Sequence, residues 1–255
     1  MAAQSEKRPV LWQIEISHFS EKARWALDHK EVDHVRRTPL PGTHIPIALL
    51  LTRGAQPTFP VLQMDGRTIG DSTAIIAALD AKHFDRPLYP SSPEERARAL
   101  ELEDYFDEQL GPYTRFLVFH ELVNEPEIFA EVASRAVPGP LGNVKPLVGA
   151  YARGFTSLRW RARDETMAAT AREKIVAAFD RLEEELGGGE FLVGDSFSVA
   201  DLTAAALFYP LVLPAEGPTP PDTPRPPALD EFRSGLSDRP GFRWVEETFR
   251  KHRRG

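Results

Sequence analysis

The sequence predicts a small α/β domain followed by an all-helical domain. Short apolar runs of strand type alternate with helical patterns in the first third of the chain. Strand patterns nearly vanish further on, and the proline- and serine-rich segment 85–93 (DRPLYPSSP) separates the two regions. We therefore expect a first domain over residues 1–84, a linker over 85–93 and a helical domain over 94–255.

The first domain is predicted to run strand, helix, strand, helix, strand, strand, helix. The clearest local signal is Asp65-Gly66 between two strand-like runs, because both positions of such a turn tolerate positive φ, which is typical of a β-hairpin. Apolar residues at alternating or helical spacing predict the other elements. These are a strand at 9–16, a helix at 18–30, a strand at 33–38, an irregular helix at 45–51, strands at 59–64 and 67–69, and a helix at 72–83.

The second domain is predicted to contain long helices joined by loops. The clearest helix covers 165–186, because its apolar residues form one stripe and three consecutive glycines follow it. Ser198-Val199-Ala200-Asp201 has the pattern of a capping box, which predicts a helix from there to about residue 209. Helices are also predicted over 94–123 and 242–250, with a proline-rich loop over 213–227.

Composition excludes several classes of function. A formal net charge of −7 argues against nucleic acid or an anionic membrane as the main partner. No apolar run has the length of a membrane helix, and residues 1–9 contain no apolar signal core, so we expect a cytoplasmic protein. The basic residues at the end of the chain are interpreted as a solvated surface: Arg250, Lys251, Arg253 and Arg254.

The chain has no cysteine. It therefore forms no disulfide and no thiolate metal site, and it has no thiol nucleophile of its own. The histidines lack metal-ligand spacing, and neither a glycine-rich phosphate loop nor a G-x-S-x-G motif occurs. Because these sites are absent from the sequence, we expect a chemistry in which a bound molecule supplies the reactive group.

Ser17 lies where the first predicted strand ends and the first helix begins. A helix N-terminus has free N–H groups and a partial positive charge, and a serine hydroxyl there can donate a hydrogen bond to a bound thiolate. Serine is also a preferred N-cap residue, so capping alone accounts for its presence. Both interpretations remain open at this point.

Two further pairs also have a structural and a functional interpretation. Phe59-Pro60 precedes a strand: with a trans bond it is a simple strand entry, and with a cis bond the backbone of Phe59 is turned outward to a peptide ligand. Asp71-Ser72 opens a helix. It is either a helix cap or a site in which Asp71 takes an ammonium, while Ser72 and the helix amides take a carboxylate.

Together these pieces resemble the glutathione transferase superfamily. The resemblance rests on their order and spacing and covers most of the chain: SHFSEKARWAL (17–27), TFPVL (58–62), IGDSTAI (69–75), RPLYP (86–90) and FSVADLTAA (197–205). It implies a thioredoxin-like N-terminal domain that binds glutathione and an all-α C-terminal domain that covers an electrophile. It also implies a homodimer; no metal is expected, because the histidines lack metal-ligand spacing and cysteine is absent.

The resemblance assigns roles to particular residues. Ser17 falls on the position that activates the thiol, and Phe59 on the residue before the cis-proline Pro60, which pairs with the cysteine backbone of the thiol peptide. Asp71 and Ser72 fall on the pair that holds the γ-glutamyl group. Ser198 and Asp201 fall on a capping box that is structural in the family.

Three points of the resemblance stay open. His18 stands where relatives often have proline, and we include it among the candidate ligand contacts. Gln56 and Arg53 are alternatives for holding the glycine carboxylate, which also leaves another low-molecular-weight thiol possible. One or two of five side chains in the helical domain are expected to line the electrophile pocket: Tyr113, Phe116, His120, Trp160 and Tyr209.

The predicted function is that of an enzyme. A bound thiol is deprotonated beside Ser17, and its sulfur attacks an electrophilic carbon of an apolar small molecule. Conjugation, isomerisation, dehalogenation and ether cleavage are all compatible with this chemistry. The alternative is a binding or scaffold protein with the same fold, whereas thiol–disulfide exchange is disfavoured because cysteine is absent.

Overall fold

A computed structural model describes residues 8–40, 42–135 and 144–253. Four short strands form one sheet in the order β2-β1-β3-β4. Strand β1 pairs in parallel with β2 and antiparallel with β3, and β3 and β4 form the predicted hairpin. The strands are β1 (Val10–Trp12), β2 (Val35–Arg37), β3 (Val61–Met64) and β4 (Arg67–Gly70).

Three helices complete the first domain: α1 (His18–His29), α2 (His44–Leu51) and α3 (Ser72–Lys82). The predicted order of strands and helices is therefore observed. The first strand is much shorter than the predicted 9–16, because the chain turns soon after Trp12: the Ile14 N–H donates to Ser20 Oγ, and the Ser17 N–H donates to the Ile14 carbonyl.

The remaining regular elements in the described part of the chain are helices: α4 (Pro93–Gln109), α5 (Gly111–Asn124), α6 (Pro126–Arg135), α7 (Lys145–Trp160), α8 (Glu165–Leu186), α9 (Val199–Val212), α10 (Pro227–Ser234) and α11 (Pro240–His252). Helix α9 is buried along nearly its whole length and packs against α1, α4, α5 and α11. Its predicted capping box is present, with Asp201 accepting hydrogen bonds from the Ser198 N–H and hydroxyl, both at 2.8 Å.

The structure corrects the helical domain in two places. The helix predicted over 94–123 is two helices that break at Leu110, because Pro112 has no N–H to continue the first one. Gly111 is required at the break: a Cβ there would lie 2.6 Å from the Phe19 ring. Helices α6 and α7 have no counterpart in the prediction; α7 contains two glycines, which weaken the helical signal of an otherwise amphipathic segment.

The two parts of the chain are joined by specific polar contacts as well as by a shared apolar core. The Tyr209 hydroxyl donates to the Ile16 carbonyl at 2.8 Å, and Trp25 Nε1 donates to the His252 carbonyl at 3.1 Å. The first contact fixes the segment that leads into α1, and the second fixes α1 itself. The position of the α1 N-terminus is therefore set by the helical domain as well as by the sheet.

Candidate active site

The strand register brings three predicted site segments to one edge of the sheet. Trp12, the last residue of β1, lies opposite Val61, the first residue of β3, and Val61 also lies opposite Gly70, the last residue of β4. Ser17 follows β1, Phe59-Pro60 precedes β3 and Asp71-Ser72 follows β4. All three segments therefore converge, although they are far apart in the sequence.

Ser17 is half-buried and is the N-cap of α1, with its Oγ accepting a hydrogen bond from the Ser20 N–H at 3.3 Å. A hydroxyl has one donor proton and two acceptor lone pairs. The cap uses a lone pair and leaves the O–H proton available. Capping and hydrogen bonding to a bound thiolate are thus compatible roles for the same side chain.

The Phe59–Pro60 peptide bond is cis. The Phe59 side chain is turned inward, 6% exposed, and its ring centroid lies 6.4 Å from that of Trp12. Within the described residues, neither the N–H nor the carbonyl of Phe59 forms a hydrogen bond. A buried ring and free backbone groups are what a peptide ligand lying along this edge requires.

Asp71 is exposed and has φ of 73°, an uncommon conformation for any residue other than glycine. Its Oδ1 accepts from the Thr73 N–H at 2.9 Å and from the Ala74 N–H at 3.2 Å, whereas Oδ2 has no partner in the described part of the chain. Ser72 is 3% exposed and opens α3. Because Asp71 occupies two of the helix amides, Ser72 is the group of this pair that remains for a ligand carboxylate.

A buried charge network holds α1, α3 and α4 together just behind this edge. Lys22 Nζ contacts Glu103 at 2.9 Å and Asp107 at 2.6 Å, and it donates to Thr73 Oγ1 at 2.9 Å. The side chains of Lys22 and Glu103 are fully buried. Burial raises the pKa of Glu103, and the neighbouring Lys22 ammonium opposes that increase.

His18 contacts the helical domain. Its Nε2 lies 2.9 Å from the Gly111 carbonyl, which can only accept, so Nε2 carries the proton and Nδ1 is an acceptor. Burial and the nearby positive charge of Arg115 lower the pKa of His18 to about 3. The imidazole is therefore neutral at physiological pH, and only Nδ1 remains for the predicted ligand contact.

The structure separates the two alternatives for the glycine carboxylate. Gln56 Oε1 lies against Gly70, where an added Cβ would approach it to 2.1 Å, so Gln56 is at the site edge of the sheet. Its Nε2 donates to Thr58 Oγ1 at 3.3 Å. Arg53 is exposed on the turn that follows α2.

The five aromatic or histidine candidates of the helical domain fall into two groups. Tyr209 is 1% exposed and bonded to the Ile16 carbonyl, and His120 is 3% exposed with Nδ1 3.0 Å from the Ala162 carbonyl, so both have structural roles. The others are only half-buried: Tyr113, Phe116 and Trp160.

Two arginines beside Trp160 were missed by sequence reasoning. The guanidinium carbons of Arg115 and Arg159 lie 4.2 Å and 4.3 Å from the centre of the Trp160 ring. Arg115 is on α5, whereas Arg159 and Trp160 are at the end of α7, a helix that was not predicted. A single arginine on a helix is usually interpreted as solvated surface, so no pattern in the sequence marks this group.

Comparison with known proteins matches both parts of this architecture. A family model for the N-terminal domain of glutathione S-transferase matches residues 11–87, and a model for the C-terminal domain matches residues 145–240. The chain belongs to the glutathione S-transferase family. The sequence-based recognition and the predicted fold, a thioredoxin-like domain followed by a helical domain, are confirmed.

The chain is also similar to individual members of this family. It is 27% identical over 218 residues to a maleylacetoacetate isomerase of Dictyostelium discoideum, covering 80% of each protein. The β-etherase LigF of Sphingobium sp. strain SYK-6 has the same fold with a TM-score of 0.61 and 20% identity, over 95% of this chain and 100% of that one.

A theta class glutathione S-transferase of Xanthomonas axonopodis pv. citri, solved with glutathione bound, aligns with a TM-score of 0.57 and 21% identity, over 93% of this chain and 97% of that one. Family membership and the similarity to a maleylacetoacetate isomerase confirm the prediction of an enzyme of the glutathione S-transferase type, and the two solved structures show the fold. Within the described residues, no group of three or more potential metal ligands is found, and no helix is long and apolar enough to span a bilayer.

Proposed function

We propose that this glutathione S-transferase binds glutathione at the sheet edge and activates its thiol beside Ser17 for reaction with a small electrophile. The observation that carries the proposal is the uncommitted hydroxyl proton of Ser17 at the N-terminus of α1. It lies at the edge where the cis Phe59–Pro60 bond and Asp71 also converge. The sulfur must come from the ligand, because the chain has no cysteine.

Thiol activation is an electrostatic effect. Lowering the pKa of a bound thiol by two units requires about 2.7 kcal/mol of preferential stabilisation of the thiolate. One charge-assisted hydrogen bond contributes about 1.5–3 kcal/mol, and a helix N-terminus about 0.3–1 kcal/mol. The Ser17 hydroxyl and the first turn of α1 therefore suffice, without a general base.

The rest of glutathione would be held by groups with matching chemistry. The N–H and carbonyl of Phe59 pair with the cysteinyl backbone, as an added strand pairs with a sheet edge. Asp71 Oδ2 accepts from the γ-glutamyl ammonium, and Ser72 donates to the γ-glutamyl carboxylate. Gln56 is the better candidate for the glycine carboxylate, because it lies at the same edge, and the Nδ1 atom of His18 is a further acceptor.

The activated sulfur is compatible with transfer and with isomerisation. A maleylacetoacetate isomerase and a β-etherase are among the similar proteins. Both activities are compatible with a thiolate that adds to an electrophilic carbon. In a transfer the sulfur stays on the product, and in an isomerisation it leaves again. We propose a glutathione-dependent transferase or isomerase, located in the cytoplasm and active as a homodimer. Light scattering tests the oligomeric state.

The proposal is tested by glutathione calorimetry combined with turnover of a chloro-dinitrobenzene and a panel of unsaturated carbonyl electrophiles. Ser17→Ala should lower kcat/KM by at least 10-fold, the equivalent of about 1.4 kcal/mol. Ser92→Ala is the matched control, because Ser92 caps α4 with the same kind of hydrogen bond away from the site edge. Both variants lose an N-cap, about 1 kcal/mol of stability, and only the first should lose activity.

Two outcomes would contradict the proposal. If glutathione does not bind, it is not the thiol that this protein uses, and another low-molecular-weight thiol would then be tested in the same assay. Tight binding without turnover of any electrophile would instead favour the non-catalytic alternative, a thiol-binding protein with the family fold.

A further inference from the structure

Arg115, Trp160 and Arg159 form a cationic aromatic group between α5 and α7. The two guanidinium groups lie within 4.3 Å of the centre of the same indole ring. The ring of Phe119 stacks on Trp160 from α5, with centroids 6.3 Å apart. The group therefore places two positive charges on one indole ring.

This group adjoins the first turn of α1, where Ser17 lies. Arg115 is 5.8 Å from the ring centre of Phe19, and Phe19 packs against Gly111, one helical turn before Arg115. Arg115 is also close enough to His18 to lower the pKa of its imidazole. Arg115 thus lies beside the first turn of α1, where the thiol sulfur is expected.

The start of α2 also contacts α7. The His44 ring contacts Phe155 of α7 at 5.8 Å, and Arg159 lowers the pKa of His44. Helix α2 of the first domain therefore lies beside the Arg115–Trp160–Arg159 group.

Neither arginine has a carboxylate partner within the described part of the chain. Other arginines of the helical domain are paired, such as Arg172 with Glu121 and Arg239 with both Asp180 and Glu183. Burial and the neighbouring Arg159 lower the pKa of Arg115 to about 10, so it remains charged at neutral pH. The repulsion between two neighbouring positive charges without an acidic partner decreases when an anion binds between them.

We propose that the second substrate is an electrophile that carries a carboxylate. This inference rests on the proposed function and specifies its substrate class. A guanidinium fork matches a carboxylate with two parallel hydrogen bonds, and stacking on Trp160 holds both guanidinium groups beside each other. The carboxylate would then orient the electrophilic carbon toward the sulfur beside Ser17.

The test compares a chloronitrobenzoate with its amide, two electrophiles of the same shape that differ in charge. For each, kcat/KM is divided by the rate constant of the uncatalysed reaction with glutathione. Wild type should prefer the carboxylate by about 10-fold or more, as one charge-assisted pair allows. Arg115→Gln and Arg159→Gln should each reduce this preference, mainly through KM. Arg163→Gln, an exposed arginine without an ion pair in the described residues, should not.

A second measurement needs no turnover. The unreactive nitrobenzoate and nitrobenzamide are titrated by calorimetry in the absence of glutathione, and only the carboxylate should bind more weakly to the two variants. Arg159 is exposed, so its variant tests the inference even if Arg115→Gln is destabilised.

The outcomes separate this inference from the proposed function. Equal normalised turnover of both electrophiles by wild type, with normal glutathione binding, would overturn the inference alone. A weaker glutathione affinity in Arg115→Gln would also overturn it, because the arginines would then hold the carboxylate of glutathione. If the wild-type protein does not bind glutathione, the proposed function is wrong, and the inference that rests on it is wrong as well.

Discussion

Replacing Lys22 with methionine tests whether the buried charge network holds the sheet edge in place. Lys22 Nζ makes ion pairs of 2.9 Å to Glu103 and 2.6 Å to Asp107, and the Lys22 and Glu103 side chains are fully buried. Lys22→Met keeps the apolar stem and removes the charge. It leaves two neighbouring carboxylates without a cation.

Breaking a buried ion pair by removing one partner costs about 3–5 kcal/mol, because the remaining charge stays desolvated. For a protein of this size, 1 kcal/mol corresponds to a shift in Tm of about 2–4 °C, so the expected decrease is about 6–20 °C. The matched control is Lys82→Met, which removes a pair with Asp65 whose side chains are 33% and 41% exposed. That pair should contribute less than about 1 kcal/mol.

The loss of stability in Lys22→Met should depend on pH. Burial already raises the pKa of Glu103 above its ordinary value of 4.5, and removing Lys22 raises it further. A carboxyl group with a raised folded-state pKa stabilises the fold at pH values below its unfolded pKa, and this contribution is lost as the pH increases. The difference in Tm between wild type and Lys22→Met should therefore be small in acid and widen toward neutral pH.

Thermal unfolding followed by circular dichroism, in a series of buffers from acid to neutral, measures this difference. The reasoning would be refuted by a decrease no larger than that of Lys82→Met, or by a difference that does not change with pH. Because Lys22 also contacts Thr73 at the start of α3, glutathione affinity should decrease in the variant as well.

Two further predictions concern the site itself. Asp71→Asn keeps an oxygen that can cap α3 but removes the charge, so calorimetry should show about 10- to 100-fold weaker glutathione binding with an almost unchanged Tm; unchanged affinity would exclude the ammonium contact. His18 has a pKa of about 3 and is neutral near pH 7, so His18→Gln, which can still donate to the Gly111 carbonyl, should leave the midpoint of the pH dependence of kcat/KM in place. A midpoint that moves by a unit or more would instead identify the imidazole as a titrating catalytic group.

The order of elements in the first domain could be predicted because each element is defined locally. Asp65-Gly66 defines the hairpin, and Ser17 and Asp71 define helix starts. The convergence of the three segments depends on register, which pairs Val61 with both Trp12 and Gly70. Register follows from the packing of the whole sheet and is weakly encoded in strands of three or four residues.

The site could be predicted only in part, for a similar reason. The first domain presents Ser17 and Asp71 at element ends, where local patterns reveal them. Arg115 and Trp160 meet because α7 packs on α5, a tertiary contact that the helical pattern of neither segment specifies. His18 shows the limit from the other side: its place in the sequence suggests a ligand contact, which stays a prediction, and no pattern marks the contact of its Nε2 with the Gly111 carbonyl of the helical domain.

The central claim is that the hydroxyl at residue 17 stabilises a borrowed thiolate, and the pKa of bound glutathione tests it most directly. Thiolate absorbance in the ultraviolet reports only on glutathione, since the chain contains no cysteine. In wild type the bound thiol should titrate about two units below an ordinary cysteine thiol near 8.5, and in Ser17→Ala about one to two units higher than in wild type. The same bound-thiol pKa in both proteins, at equal glutathione occupancy, would contradict the account.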